Sequence, residues 1–490
     1  MMIRVVSTAA QTSDRSRWIA LVVVCMGQLM SVLDTTIVNV ALPSIQRDLG
    51  FSQANLTWVV NAYLITFGSF LLLAGRLGDL IGRRRVFLTG VAVFTAASAA
   101  CGFANSQGLL VAARFVQGLG GAAAASTIVA IIATEFPKPS ERAKAMSVYT
   151  FVISGGGSLG LVLGGLLTQS INWHWIFFIN VPIGVLTFVA GRARLIENEG
   201  LGIGRDVDVL GSVIVTVAIM LGVYAIVTSA DHGWGSAHTI GFGAVAVALL
   251  AGFLLLESRL RNPIMPLRIF RVPGLALSSG IRSFLVTGMF ASFFIGVLYL
   301  EHIKGFGVLE TGLAFLPMTL VLAGLSSGIT ARLVASFGPR RTALVGLAFA
   351  IASLLMLSQA SAGASYFPYV FVAFVLLGLG AGLAFLPLLL IAMAEVPAAD
   401  AGLASGIINV SLQIAGALGL AVLGTLATDH TKSLAADGHS HVGALLGGYH
   451  LAFLVGAIAV GVGLLVSILA LRDPGRPRAA QAPVAEPEAA

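Results

Sequence analysis

Two ionisable residues stand inside long apolar runs, where each is costly unless it has a task. Asp34 falls in Leu33-Asp-Thr-Thr-Ile-Val-Asn-Val-Ala-Leu-Pro43 and Arg114 in Arg114-Phe-Val-Gln-Gly118. A charge at the centre of a bilayer costs roughly 2.5 to 3.5 kcal/mol on insertion scales, so such residues mark proton relays, ion pathways or paired charges. Burial disfavours an ionised carboxyl, so Asp34 could take up a proton when it faces one side of a membrane and release it when hydrated on the other. It could also be the counter-charge of a cationic substrate, or make a structural ion pair or a polar contact between helices. Arg114 is placed to answer a change of protonation electrostatically, although about two turns from the start of its run it could also snorkel to the interface. Arg282, in a later run, either lines a cavity or reaches back to the interface. Asn39, Gln117 and Arg282 are therefore the candidate cavity residues.

A second constellation is Gly75-Arg-Leu-Gly-Asp-Leu-Ile-Gly-Arg-Arg-Arg85. Gly75, Gly78 and Gly82 suit a tight reversal between helices, while Arg76, Arg83 and Arg84 suit an anionic inner leaflet. Asp79 adds an acid where charge can bridge moving elements. An ordinary basic turn would need only the arginines. A third is the run Gly155, Gly156, Gly157, Gly160, Gly164 and Gly165, where small residues allow close helix approach in lipid, as a gate or as packing.

The elements that position these residues follow from composition. Apolar residues make up 57% of the 490 residues and charged residues 10%, whereas a soluble domain has roughly 45 to 50% and about 25%. Apolar runs of about twenty residues, the thickness of a bilayer, recur along the chain. The first is longer than a signal-peptide core and contains Asp34, so it reads as a permanent span. Breaks place spans near 18–42, 55–75, 86–106, 108–133, 145–168 and 175–191, then 208–230 and 239–257, then 273–299, 311–331, 342–360, 367–394, 403–428 and 448–471. The expected fold is an all-α membrane protein of fourteen transmembrane helices. With a cytoplasmic N-terminus nearly all lysines and arginines fall in inner segments. Only Arg47, Lys304 and Lys432 fall outside, and Arg114 and Arg282 lie within spans, so both termini are expected in the cytoplasm. Topology thus explains the net charge of +7 better than nucleic-acid binding does.

The segment Ala331-Arg-Leu-Val-Ala-Ser-Phe-Gly-Pro-Arg-Arg341 repeats the Gly75–Arg85 segment in its Arg-Leu pair, its glycine and its final Arg-Arg pair. At a nearly equal offset Gly118-Leu-Gly120 matches Gly378-Leu-Gly380, and the Gly160–Gly165 region matches Gly419–Gly424. Two six-helix blocks in the same orientation, separated by two helices, imply parallel repeats and alternating access at a midplane site. The expected units are a six-helix bundle over 1–191, a linker with two added helices over 192–257, a second bundle over 258–471 and a disordered cytoplasmic tail over 472–490.

Other chemistries find no support. Cys25 and Cys101 both lie in apolar runs and suggest packing rather than a disulfide or a thiolate metal site. His430, His439 and His441 share one outer loop and form no metal pattern within the spans. There is no Gly-X-X-X-X-Gly-Lys-Ser/Thr loop for an ATP-driven pump, and no reactive constellation for an intramembrane enzyme. A passive channel would not require paired halves with a switch loop.

Taken together, these residues resemble the major facilitator superfamily, and within it the fourteen-helix drug/proton antiporter branch, over nearly the whole chain. The Gly75–Arg85 segment is similar to that family's cytoplasmic motif between helices 2 and 3. The resemblance implies that Asp79 and Arg83 latch against neighbouring helices, with Asp79 facing the start of the span near Leu403. Leu33–Pro43 is similar to the first-helix motif carrying the embedded aspartate, Arg114 with Gln117-Gly118 to the fourth-helix motif of proton transfer, and Trp173-His-Trp-Ile-Phe-Phe-Ile-Asn-Val-Pro182 to the entry into helix 6. The fifth-helix motif departs from the pattern, because Leu161 stands where a proline follows Gly160; Gly156, Gly160, Gly164 and Gly165 remain for packing or gating. The resemblance implies a multi-pass, monomeric transporter of the cell membrane that needs no cofactor. It would be driven by a proton gradient and export small hydrophobic or cationic drugs or amphipathic compounds. The alternative is a dedicated proton-coupled exporter or importer of one metabolite or peptide.

Overall fold

The computed structural model describes residues 14–197, 209–260, 263, 267–272, 274–396 and 401–472. The expected tail from 473 onward, the inner segment holding Arg205, and the side chains of Arg76, Asp79 and Leu403 lie outside the described residues.

Among the described residues every regular element is helical. The first half comprises α1 (Asp14–Leu49), α2 (Gln53–Ile81), α3 (Arg83–Gly102), α4 (Gln107–Glu135), α5 (Pro139–Ser170) and a sixth span broken into α6 (Trp175–Phe178) and α7 (Asn180–Arg194). Then come α8 (Val209–His232) and α9 (Ala237–Arg259). The second half begins with α10 (Leu275–Leu298) and continues through α11 (Val308–Ala314), α12 (Leu316–Gly324) and α13 (Thr330–Phe337), which together form one interrupted span. It ends with α14 (Pro339–Leu357), α15 (Phe371–Met393), α16 (Ala401–Ala436) and α17 (His441–Ala470). Among the described residues twelve helices are long and apolar enough to cross a bilayer, and the shorter apolar stretches Val213–Ser229 and Val308–Gly324 fill the seventh and tenth positions. The chain is integral to a membrane.

The ends of the helices explain where the chain turns. At one end of the bundle Ser52, Ser106, Ser236 and Ser440 each accept a backbone N–H of the helix that follows, satisfying donors that a helix start leaves open. At the other end the structure corrects an expectation. Gly75–Arg85 is not a loop: α2 runs on to Ile81, Gly82 alone reverses the chain at φ 102°, and α3 starts at Arg83. Gly338 does the same between α13 and α14 at φ 85°. Only glycine takes such a φ without steric cost, so one residue suffices where a longer loop seemed necessary.

The duplication is visible in the packing. Contacts of α3 with α4, α1 with α5 and α3 with α7 recur as α14 with α15, α10 with α16 and α14 with α17. A Cβ on Gly120 would stand 2.9 Å from the carbonyl oxygen of Gly90, and one on Gly346 would stand 2.8 Å from that of Gly380. Both crossings therefore bring backbone against backbone, which suits association in lipid. Arg84 donates to the carbonyl of Arg192 at the end of α7, and Arg340 to that of Ile468 near the end of α17. Each caps carbonyls that a helix terminus leaves open.

The halves meet through α2 against α16 and α5 against α11 and α12. Close approaches fall toward the end opposite Gly82 and Gly338, and one, Gly68 against Gln413, lies midway along α2. A Cβ on Gly165 would lie 2.7 Å from Cα of Leu309, and one on Gly424 would lie 2.8 Å from the Thr57 methyl. The added helix α8 packs over α2 and α16, and α9 packs on α8. Trp234, between them, donates to Asp429 at 3.0 Å.

Candidate functional site

Asp34 on α1 faces Arg114 and Gln117, which stand one turn apart on α4. Arg114 donates through Nη1 to Oδ2 of Asp34. Gln117 donates through Nε2 to Oδ1 at 2.8 Å and accepts from Arg114 Nη1 at 2.7 Å. The three side chains close a ring in which both carboxylate oxygens are used. Arg114 also donates through Nε to the carbonyl of Val59 on α2 at 2.9 Å, and its guanidinium lies over the ring of Tyr63 at 4.6 Å and near that of Phe177 at 5.8 Å. Those rings give a desolvated cation a further electrostatic contact. Ser98 on α3 accepts from Gln117 and from Asn180 of α7, each at 3.2 Å, and donates to the carbonyl of Phe177 at 2.9 Å. Five spans thus meet on one polar network.

Asp34 is 0% and Arg114 1% exposed. An ion pair this deep depends on further hydrogen bonds to its remaining donors and acceptors; here Gln117 and the carbonyl of Val59 supply them to Oδ1 of Asp34 and to Nη1 and Nε of Arg114. Protonating Asp34 would discharge the acid and leave Arg114 as a buried cation held only by Val59, Gln117 and two aromatic faces. The other face of α1 bears on α5. A Cβ on Gly160 would lie 3.2 Å from the carbonyl of Leu33, and one on Gly164 would lie 2.8 Å from that of Ile37. A Cβ on Gly156 would lie 3.0 Å from Leu29 and 3.1 Å from Val32. Gly165, next along, turns instead to the other half. The absence of a proline after Gly160 leaves α5 unbroken, and Leu161 is fully buried against that half, its carbonyl beside Gly312.

The second half has no such charge at the matching place. By the offset of the repeat, Phe374 stands where Arg114 does, stacked at 4.5 Å on Phe315, which stacks at 5.5 Å on Phe293. The Asp34–Arg114 pair thus has no counterpart at that place in the second half.

The Major Facilitator Superfamily matches residues 24–420 of this sequence. The chain belongs to the Major Facilitator Superfamily. Its relatives in that superfamily include the puromycin resistance protein pur8 of Streptomyces alboniger, 38% identical over 95% of this chain and 92% of the relative. The tetracenomycin C resistance and export protein of Streptomyces glaucescens is 35% identical over 84% of this chain and 76% of the relative. The multidrug resistance protein Stp of Mycobacterium tuberculosis is 36% identical over the same shares. Among solved structures, a bacterial homologue of the human lysosomal transporter Spinster, inward-facing and unoccupied, superposes with a TM-score of 0.68 at 16% identity, covering 94% of this chain and 98% of that one. An auto-inhibited peptide transporter of the POT family gives 0.67 at 16%, covering 94% and 99%. These two establish the fold alone. As a member of the superfamily the chain is a membrane transporter rather than an enzyme.

The other residues singled out from the sequence fall in several places on this superfamily fold. Gln117, expected at a cavity, is fully buried as the bridge between Asp34 and Arg114, because its i,i+3 spacing from Arg114 puts both on one face of α4. Arg114 does not snorkel. Asn39 is buried and donates to the carbonyl of Thr35 within α1 at 2.6 Å. Of the residues expected to form a switch, Arg83 reaches Thr134 of α4 at 3.2 Å, and Arg84 pairs with Glu197 at 3.1 Å. Arg282 is 8% exposed and lies over Phe385 of α15 at 5.4 Å. Tyr63, Ser98, Asn180 and the carbonyl of Val59 were missed by sequence reasoning. Asn180 carried a usable signal, since it stands in the Trp173–Pro182 segment; a tyrosine, a serine and a backbone carbonyl inside apolar helices carried none.

Proposed function

We propose that this chain is a proton-coupled exporter of a small hydrophobic or amphipathic molecule, working by alternating access with both termini in the cytoplasm. The observation that carries this reading is the buried ring of Asp34, Arg114 and Gln117, in which a single proton removes the charge that holds α1 to α4. Export is supported by the resistance and export proteins among the relatives.

In this reading the contacts of Gly165 with Leu309 and of Gly424 with Thr57 close the outer face, and the cavity opens inward. Rocking of the two halves parts these contacts and admits water to Asp34 from outside. Protonation then releases Arg114, α1 shifts against the glycine face of α5, and the halves return. The proton leaves to the inside as the ion pair re-forms, and substrate takes the outward journey. One charge crossing 100 mV supplies roughly 2.3 kcal/mol, enough for a concentration ratio of about fifty. A cationic substrate draws less support than the sequence suggested, because Arg114 already neutralises Asp34.

The test is proton release from the purified protein on adding a panel of hydrophobic compounds that includes puromycin and tetracenomycin C, wild type against Asp34→Asn. Release from the wild type alone is expected. Equal release from both would remove Asp34 from the mechanism.

A further inference from the structure

Among the described residues two arginines, Arg114 and Arg282, are buried in the membrane-spanning part, and their surroundings differ in kind. Arg114 has an acid, an amide and a carbonyl. Arg282, on the first turns of α10, has none of these: its Nε and Nη1 are buried without a hydrogen-bond partner, and its one close neighbour of note is the face of Phe385. One turn earlier on the same face, at the i−4 and i−3 positions, the hydroxyls of Ser278 and Ser279 are also buried and without partners. All three residues are more than nine-tenths buried, at 8%, 0% and 5% exposure.

Buried donors ordinarily find acceptors, and a buried charge ordinarily finds a counter-charge. Snorkelling does not account for Arg282, since Phe385 on α15 holds the guanidinium inside the bundle. The helix end makes the imbalance larger. Ser278 and Ser279 lie near the N-terminal, positive end of α10, where a cation is disfavoured and an anion favoured. The guanidinium and the positive helix end call for a negative group, and the two unpartnered hydroxyls, one turn away on α10, are donors such a group could use.

We infer that Arg282, Ser278 and Ser279 form a binding site for an oxyanion, a carboxylate or phosphate group carried by the transported molecule. This deepens the transporter reading above and rests on it. The second half would hold the acidic head of an amphipathic substrate, with the apolar remainder against aromatic side chains such as Phe385, while Asp34 in the first half handles the proton. The guanidinium fork matches a carboxylate or phosphate in two parallel hydrogen bonds, and the serine hydroxyls supply the remaining donors.

The test uses full-length protein in phosphatidylcholine nanodiscs, with benzoate and inorganic phosphate as soluble probes and added phosphatidylglycerol as the lipid probe. Saturable, Arg282-dependent binding of at least one probe is expected. Arg282→Gln should weaken it by about tenfold or more, the loss of a charge-assisted hydrogen bond, with Arg282→Lys recovering part. Dependence on benzoate or phosphate identifies a free solute, and dependence on phosphatidylglycerol alone identifies a lipid head group. Ser278→Ala with Ser279→Ala should weaken binding several-fold and keeps the test open if Arg282→Gln does not fold. Binding unchanged in these variants, or no saturable binding of any probe, overturns the site. The double variant Asp34→Asn/Arg114→Gln, which frees no buried cation, should retain the Arg282-dependent probe affinity, so failure of proton coupling and failure of the oxyanion site are told apart.

Discussion

Arg114 and Asp34, 80 residues apart in the chain, are bonded to each other in a place where neither touches solvent. Removing one partner of such a pair leaves the other as an uncompensated buried charge, at a cost of about 3 to 5 kcal/mol. Arg114→Gln is therefore expected to lower the thermal midpoint of the purified protein sharply. Adding Asp34→Asn to it removes both charges and should recover most of the loss without restoring transport driven by a pH gradient. A double variant no more stable than Arg114→Gln would show that the two residues do not hold each other.

The approach of Thr57 to Gly424 allows the two halves to be tied. Cysteines placed at both positions lie near the range a disulfide can span, and the natural Cys25 and Cys101 are buried. Oxidation of Thr57→Cys/Gly424→Cys should stop transport and reductant should restore it. Full transport in the cross-linked protein would mean that this end of the molecule does not open during the cycle.

Alanine replacements separate packing glycines from spare ones. At Gly155 an added Cβ meets nothing within 4 Å, so Gly155→Ala should be neutral or raise stability by up to about 1 kcal/mol through helix propensity. At Gly120 and Gly380 the Cβ would collide with the backbone of the neighbouring helix, Phe94 Cα at 2.9 Å and Ala350 N at 2.7 Å. Gly120→Ala and Gly380→Ala should each lower the yield of folded protein, read by size-exclusion chromatography of solubilised membranes. Equal yields for all three would contradict the two tight crossings.

Arg84 and Arg340 do the same work at matching places. Each donates to a carbonyl near the end of the last span of its half, so Arg84→Ala and Arg340→Ala should cost similar stability, on the order of 1 to 2 kcal/mol for a hydrogen bond from a charged donor. Hydrogen exchange should rise at the ends of α7 and α17 respectively. An effect in one half only would break the equivalence.

The sequence by itself determined the membrane fold, the number of spans and the duplication, because each of these is a local property. An apolar run announces a span, and a repeated Arg-Leu, Gly and Arg-Arg pattern announces a repeat wherever its helices finally lie. It also picked out Asp34, Arg114 and Arg282, since a charge in such a run is conspicuous whatever its surroundings. Partners were another matter. A helix that is apolar on every side gives no sign of which face looks at which neighbour, so only the tertiary structure decided that Arg114 turns inward to Asp34 and that Gln117 bridges them. It decided likewise that Tyr63, Ser98, Asn180 and the carbonyl of Val59 complete the network. The same rotation of helices that gave Arg114 its acid left Arg282 without one, and it placed the long stretch from Gly75 to Ile81 within α2 with the reversal confined to Gly82. Burial of charge could be read along the chain; its compensation depends on distances between spans that adjacency in sequence does not set.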